Sequence, residues 1–195
     1  DMIILSHASM PDRTGAILAG DESPMQLFRE DCELLAKAGC CAIVAICNTA
    51  HYFLHRLAPE LPVPFISAIR ECGAKLADRY AGGKIAILAT EGTIKTGLYR
   101  DELLQRGLVP CKPNEEVQKA VNHLIYGCIK AGKEADMEAV AFVESAMKKE
   151  GCDAGILGCT ELSYIAGTKN LSDFFVDPME ILAEKAIEFC LSGTP

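Results

Sequence analysis

The sequence lacks the markers of several large protein classes. No apolar run approaches the roughly 20 residues a helix needs to span a bilayer, and no signal-peptide pattern opens it. Lysine and arginine do not cluster. Nineteen basic residues face 27 acidic ones for a formal charge of −8, which argues against nucleic acid or an anionic membrane as the main partner. No Cys-x-x-Cys pair occurs, so the spacings of zinc ribbons and thioredoxin-like redox motifs are missing. The first residue is Asp1 rather than methionine, and it leads directly into the apolar "MIIL".

What is present is ordinary for a globular chain of 195 residues: 50% hydrophobic, 24% charged, long enough for one large or two small domains. The ten cysteines could form five disulfides in a secreted scaffold, but such scaffolds are short and loop-rich. Reduced thiols in a cytoplasmic protein fit the regular periodicity better. Most are expected to pack as small hydrophobes, since that is how free cysteine behaves.

Strand-like and helix-like segments alternate. "MIILS", "AIVAI", "PFI", "KIAILA", "AGILG" and "FFV" are expected strands. Between them, "SPMQLFREDCELLAKAG" predicts a helix with Ser23 as N-cap, Pro24 in the first turn, Gln26 closing a capping box and Gly39 as the stop. A helix is expected from about Thr49, another through "AIRECGAKLADRY", and one after "KIAILA" that ends near Gly107. Two more are expected from Asn114 to about Ala131 and from Lys133 to Glu150. Continuous apolar strands between helices imply a parallel sheet covered on both faces.

An internal repeat runs through this pattern. "AGCCAIVAICNT" (38–49) aligns without gaps on "EGCDAGILGCTE" (150–161), so that Gly39 meets Gly151, Cys40 meets Cys152 and Cys47 meets Cys159, all at an offset of 112. "PFIS" later echoes "FFVD" at an offset of 110. The expectation is an α/β protein of two pseudo-symmetric lobes, each a parallel sheet flanked by helices, with a cleft between them. Residues 1–78 plus 178–195 form the first lobe and 79–177 the second. The strand and Thr/Gly loop "KIAILATEGT" have no counterpart in the first half. The repeat therefore predicts that the first strand and Gly-rich loop of that lobe are missing.

In open α/β sheets ligands sit beyond the carboxyl ends of the strands, so Cys47 and Cys159 are expected on opposite walls of one cleft. Each directly precedes an expected helix N-terminus, where exposed N–H groups and the dipole lower a thiol pKa and favour anions. A thiolate on one face of a carbon and a thiol on the other can remove a proton and return one to the opposite face, which inverts the centre.

The motifs "CNTAHYF" at Cys47 and "GCTELS" at Cys159, with "PDRT" (11–14), "LATEGT" (88–93) and "IKAG" (129–132), resemble the aspartate/glutamate racemase superfamily, and within it the aspartate racemase branch. The resemblance covers essentially the whole chain. It implies an isomerase that needs no cofactor and no metal, with Cys47 and Cys159 as the catalytic acid/base pair. It implies that Arg13 and Lys130 grip substrate carboxylates. Asn48, Thr49, Thr90, Thr93, Thr160 and Glu161 would line the rest of the pocket, Glu161 engaging the substrate ammonium. The implied partner is a small dicarboxylic amino acid, aspartate or alternatively glutamate, and the implied assembly is a homodimer. Glutamate racemases tend to carry His where this chain has Glu161, and some relatives acting only on L-amino acids lack the first cysteine, which is present here. Family members usually open on a strand and a "GGMGP"-like loop, absent here; a catalytically impaired, ligand-binding relative is therefore a competing expectation.

Other candidates are weaker. Cys47 with His51 could form a Cys-His hydrolase pair, or His51 and His55 a metal face, although a surface or supporting role suits both better. Cys111 resembles the two active thiols only in following a strand. His7 and His123 have no evident partner in the sequence.

Overall fold

A computed structural model describes residues 1–192. Its strands form two parallel sheets. The smaller pairs Ile43–Val44 (β1) with Phe65–Ile66 (β2). The larger has the order β4-β3-β5-β6, with Lys84–Ala89 (β3), Val109–Cys111 (β4), Ala154–Gly158 (β5) and Phe175–Val176 (β6). β3 and β5 lie at its centre and are buried along nearly their whole length. Alternation explains why they are apolar at every position past Lys84. Ala86, Leu88 and Leu157 face one core with Val121, Ile125 and Val143, while Ile85, Ile87 and Ile156 face the other with Ile69, Leu76 and Leu103.

The helices are Arg13–Ala19 (α1), Ser23–Lys37 (α2), His51–Leu57 (α3), Ala68–Arg79 (α4), Glu91–Thr96 (α5), Leu98–Gln105 (α6), Glu115–Asn122 (α7), Met137–Lys149 (α8), Thr160–Thr168 (α9) and Pro178–Leu191 (α10). α10 packs on α4 and against β2, where Leu182 shares a small core with Ile66 and Ala68. Ile181 on the same helix reaches the core around Ile85 and Ile156.

The internal repeat extends to strand register. Ile43 pairs with Phe65 and Val44 with Ile66 in the small sheet, as Gly155 pairs with Phe175 and Ile156 with Val176 in the large one. Offsets of 112 and 110 convert one set of pairs into the other. The neighbourhoods then differ. β5 is also hydrogen-bonded to β3, whereas β1 pairs only with β2 among the described residues, leaving Val44 41% and Ile46 63% exposed.

Several local expectations fail for identifiable reasons. The "MIILS" segment forms no strand; Met2 and Ile4 are about four-fifths exposed, and an apolar run without a neighbour to pair with gains nothing from extension. The capping box on α2 does not form. Asp21 instead accepts both the Ser23 N–H and the Ser23 hydroxyl at 2.8 Å, and Gln26 turns to Glu30. The helix expected to run from β3 to Gly107 is broken at Gly97 (φ 71°), a left-handed conformation that glycine adopts without strain and that ends α5. The long helix from Asn114 widens at His123–Ile129 into a π-helix, where the Lys130 N–H reaches back five residues to the Ile125 carbonyl (2.9 Å). The next helix starts at Met137 rather than Lys133, because Asp136 caps it by accepting the Ala139 N–H at 3.0 Å.

Candidate active site

The large sheet has a switch point. From β3 the chain crosses to β4 on one side, and from β5 it crosses to β6 on the other. The loops that leave β3 and β5 therefore diverge and open a crevice, the usual place for a ligand in such a sheet. A cavity of about 230 Å³ lies there, closed on its other side by the turn after β1 and by the start of α1. It is lined by Arg13, Cys47, Asn48, Thr49, Thr90, Lys130, Cys159, Thr160 and Glu161, which are nine of the residues expected from the sequence. Thr93 is fully buried and does not line it; its hydroxyl lies behind, bonded to Thr49 Oγ1 at 2.8 Å and Thr90 Oγ1 at 3.2 Å. Asp12, Thr14, Ile46 and Gly158 complete the wall and were not singled out from the sequence.

The two cysteines enter this wall differently. Cys159 directly follows β5 and is the N-cap of α9. Its thiol donates to Glu161 Oε2 at 2.8 Å, and the same oxygen accepts the Thr160 hydroxyl at 3.2 Å. Burial pushes the Cys159 thiol far above the usual thiol range, and the hydrogen bond and negative charge of Glu161 push it in the same direction. The expected lowering by the helix dipole is thus overridden at Cys159. Cys47 does not adjoin a helix at all. Residues 47–50 coil as successive turns, with the Ala50 N–H on the Cys47 carbonyl (3.1 Å), and α3 begins only at His51.

Around the thiols are groups suited to carboxylates. Arg13 opens α1, whose N-cap Asp12 accepts the Gly15 N–H at 2.7 Å. Its Nη1 is held by the Pro11 carbonyl at 3.0 Å, so one edge of the guanidinium is fixed and its remaining donors are left for a ligand. Lys130 caps the π-helix with its ammonium 3.8 Å from Glu161 Oε1 and 4.7 Å from the Tyr126 ring centre. Asn48 is buried; its Oδ1 accepts the hydroxyl of the fully buried Tyr99, and its Nδ2 has no partner. A buried donor without an acceptor, on a residue that lines the cavity, is suited to a ligand oxygen.

Four threonine hydroxyls form a chain under this wall: Thr14 to Thr90 (3.4 Å), Thr90 to Thr93 (3.2 Å) and Thr93 to Thr49 (2.8 Å). It joins α1, the loop after β3 and the turn after β1. Gly92 makes this approach possible, because a Cβ there would lie 2.8 Å from both Cγ2 and Oγ1 of Thr14.

The histidines next to Cys47 are supporting groups. His51 is fully buried, meets the Cys47 carbonyl through Nδ1 at 3.0 Å, and accepts the Ala68 N–H at Nε2. Its ring addresses the backbone of Cys47 rather than the sulfur, which removes the Cys-His hydrolase reading. Burial holds it at about 4. His55 bonds Ser67 Oγ at 2.6 Å and is likewise pushed down to about 4 by burial. His7 pairs with Asp31 at 2.9 Å, and His123 with Asp136 at 3.2 Å. Among the described residues no group of His, Cys, Asp or Glu is placed to hold a metal ion, all ten cysteines are free, and no helix is long and apolar enough to cross a membrane.

Comparison with known proteins follows the same lines. The family model described as Asp/Glu/Hydantoin racemase matches residues 1–186. A glutamate racemase of Corynebacterium diphtheriae is 31% identical over 146 residues, covering 72% of this chain and 52% of that protein. The chain thus spans about half the length of the curated relatives it matches. An aspartate racemase homologue from Pyrococcus horikoshii has a similar structure, with a TM-score of 0.75 at 27% identity, covering 89% of this chain and 76% of that one. The Picrophilus torridus aspartate racemase gives a TM-score of 0.76 over 96% of this chain and 78% of its own; at 24% identity it speaks for the fold.

Proposed function

The chain belongs to the Asp/Glu/hydantoin racemase family, and from that premise we propose that it interconverts L- and D-aspartate by two-base proton transfer at Cα. The observation that carries this reading is that Cys47 and Cys159, at equivalent positions of the repeat, line one cavity together with Arg13, Lys130 and the unpartnered Nδ2 of Asn48. The proposed lobes, 1–78 with 178–195 and 79–177, then contribute one thiol each.

In this proposal the Cys47 thiolate removes the Cα proton and the Cys159 thiol delivers its own proton to the opposite face. Cys159 suits the donor role first, because burial and Glu161 keep it protonated. After one turnover Cys47 carries the proton and Cys159 is the thiolate, the starting state for the opposite enantiomer. Resetting the pair for the first enantiomer sends one proton from Cys47 to solvent and brings one from solvent to Cys159, and Glu161 Oε2, already on the Cys159 sulfur, is the natural relay for the second. Its Oε1, only loosely approached by Lys130 at 3.8 Å, is open to the substrate ammonium. Arg13 binds one carboxylate and Lys130 the other. Asn48 Nδ2 and the hydroxyls of Thr49, Thr90 and Thr160 surround the carboxylate whose oxygens take charge as the proton leaves, the fixed-donor stabilisation a carbanion requires.

A second reading, preference for glutamate, is favoured by the Corynebacterium relative, which is named a glutamate racemase. The aspartate reading rests on Glu161 standing where His is usual in glutamate racemases. A homodimer is proposed from the same resemblance. Incubation in heavy water with each pure enantiomer of aspartate and of glutamate, followed by mass analysis of Cα deuterium, tests the whole scheme. Exchange and inversion that vanish in both Cys47→Ser and Cys159→Ser are expected; normal turnover by Cys159→Ser would reject the two-thiol mechanism. Faster inversion of glutamate would decide for the second reading.

A further inference from the structure

Beside this cavity lies a larger one of about 790 Å³. α5 separates the two: Thr90 at its N-cap lines the smaller, while Thr93, Ile94 and Lys95 line the larger. The larger cavity has an apolar side formed by Ile87, Ile94, Tyr99 and Pro110, from β3, α5, α6 and β4. Its rim is cationic, with Lys95, Arg100, Lys112 and Lys119 set against Glu91 and Glu115. Two of these cations are already neutralised, Lys119 by Glu115 at 2.7 Å and Arg100 by Asp101 at 2.8 Å. Lys95 reaches only the Leu18 carbonyl at 3.5 Å, and among the described residues neither it nor Lys112 has a carboxylate partner. In a chain of net charge −8, these two ammonium groups outnumber Glu91, the one rim carboxylate left without a cation partner among the described residues, and make the field at the concave apolar wall locally attractive to an anion.

A third group points the same way. Gln118, on the α7 side of the cavity, gives its Nε2 to the Ala89 carbonyl at 2.9 Å and to Asn122 Oδ1 at 3.1 Å. The amide is thereby oriented, and its Oε1 is buried with no donor. An acceptor fixed in that way calls for an N–H or O–H from outside the chain. An apolar wall with a few convergent polar groups is the make-up of a small-molecule site.

We propose that this second cavity binds a small organic anion distinct from the amino-acid substrate. Its apolar body lies on Ile87, Ile94 and Tyr99, its carboxylate or phosphate takes Lys95 and Lys112, and a hydroxyl or N–H takes Gln118 Oε1. Thr93 lines this cavity and bonds Thr49 of the other, so the bound molecule and the substrate share one wall.

Isothermal titration with phenyl phosphate, and separately with phenylacetate, tests the site without reference to turnover. Saturable binding of one equivalent is expected, unchanged by excess aspartate and weakened about a hundredfold or more in Lys95→Glu/Lys112→Glu, since each of the two charge-assisted contacts carries roughly a tenfold change or more. The tighter of the two probes identifies the head group. Lys185→Glu, a charge reversal on α10, should bind as the parent does. The milder Lys95→Ala/Lys112→Ala repeats the test if the double reversal impairs folding. Absence of saturation at millimolar probe, displacement by aspartate, or equal weakening in Lys185→Glu would each overturn the proposal.

Discussion

The imidazole of His51 joins the Cys47 turn to the start of α4, with Nδ1 on the Cys47 carbonyl at 3.0 Å and Nε2 receiving the Ala68 N–H at 3.1 Å. A neutral ring with its proton on Nδ1 satisfies both contacts, and an imidazolium would lose the second. Burial holds the folded-state pKa at about 4 against an ordinary 6.5. The neutral form's contribution is intact above pH 6.5 and is lost as the pH falls from 6.5 to about 4, to the extent of about 3 kcal/mol. Urea unfolding of the parent and of His51→Gln should therefore show a gap that is wide at pH 7 and narrows toward pH 4. A parallel fall in kcat of about tenfold to a hundredfold, with KM little changed, would mark His51 as a positioning residue. A gap independent of pH would show that the ring does not titrate as its surroundings require.

Glu161 and Cys159 give a second prediction. Glu161→Gln removes a charge that helps to hold the thiol protonated. Alkylation of Cys159 by iodoacetamide near pH 9, followed by peptide mass analysis, should quicken several-fold in the variant, yet stay slower than that of the exposed Cys41, because burial is the larger cause. Turnover should fall by about 10² to 10⁴, the usual worth of a proton relay. An unchanged alkylation rate would mean that Glu161 does not govern this thiol.

Gly92 sets how closely α1 and α5 approach. A methyl group there would sit 2.8 Å from the Thr14 side chain and 2.9 Å from its Cα, so Gly92→Ala must push α1 outward and carry Arg13 with it. Overpacking of this kind costs roughly 1–3 kcal/mol of stability. The expected kinetic mark is a KM raised about tenfold, as for a lost charge-assisted contact, with a smaller change in kcat. A KM equal to the parent's would exclude Arg13 as a substrate ligand or α1 as the element that moves.

The Thr49 to Thr93 hydrogen bond is buried and crosses from the first half of the repeat to the second. A cycle of Thr49→Val, Thr93→Val and the double variant, followed by thermal unfolding, should give a coupling of about 1 kcal/mol, because each single change strands the other hydroxyl. Additivity within error would remove this contact from the ties between the halves.

Long-range order was written in the sequence more plainly than local detail. The apolar runs 85–89 and 154–158, set between helical segments, read as strands covered on both faces, and the repeat carried the matching registers of Ile43 with Phe65 and Gly155 with Phe175. Of the residues gathered around the cavity, Cys47, Asn48, Thr49, Thr90, Cys159, Thr160 and Glu161 were legible in short motifs just past a strand end, whereas Arg13 and Lys130 stand at helix ends and only the family resemblance pointed to them. Tyr99 was not legible, since its contact with Asn48 spans 51 positions and no local pattern announces it. Thr14 was within reach, as the neighbour of Arg13 at the start of a helix that faces "LATEGT". The failed capping box shows the limit of pattern rules, because Asp21, two residues upstream, outcompeted the backbone for Ser23. The thiol of Cys159 shows another. A helix end favours the anion, but the depth of the sulfur and a carboxylate two residues on favour the proton more, and depth is not written in a motif.

The wide helical segment from His123 to Ile129 works as a spacer for the cation beyond it. An α-helix advances about 100° per residue, so a π segment that absorbs an extra residue re-aims everything downstream by roughly that angle. The same residues wound as an α-helix, with none removed, would turn the Lys130 ammonium away from Glu161. The chain would keep every ligand-binding side chain in its composition and still lose its aim.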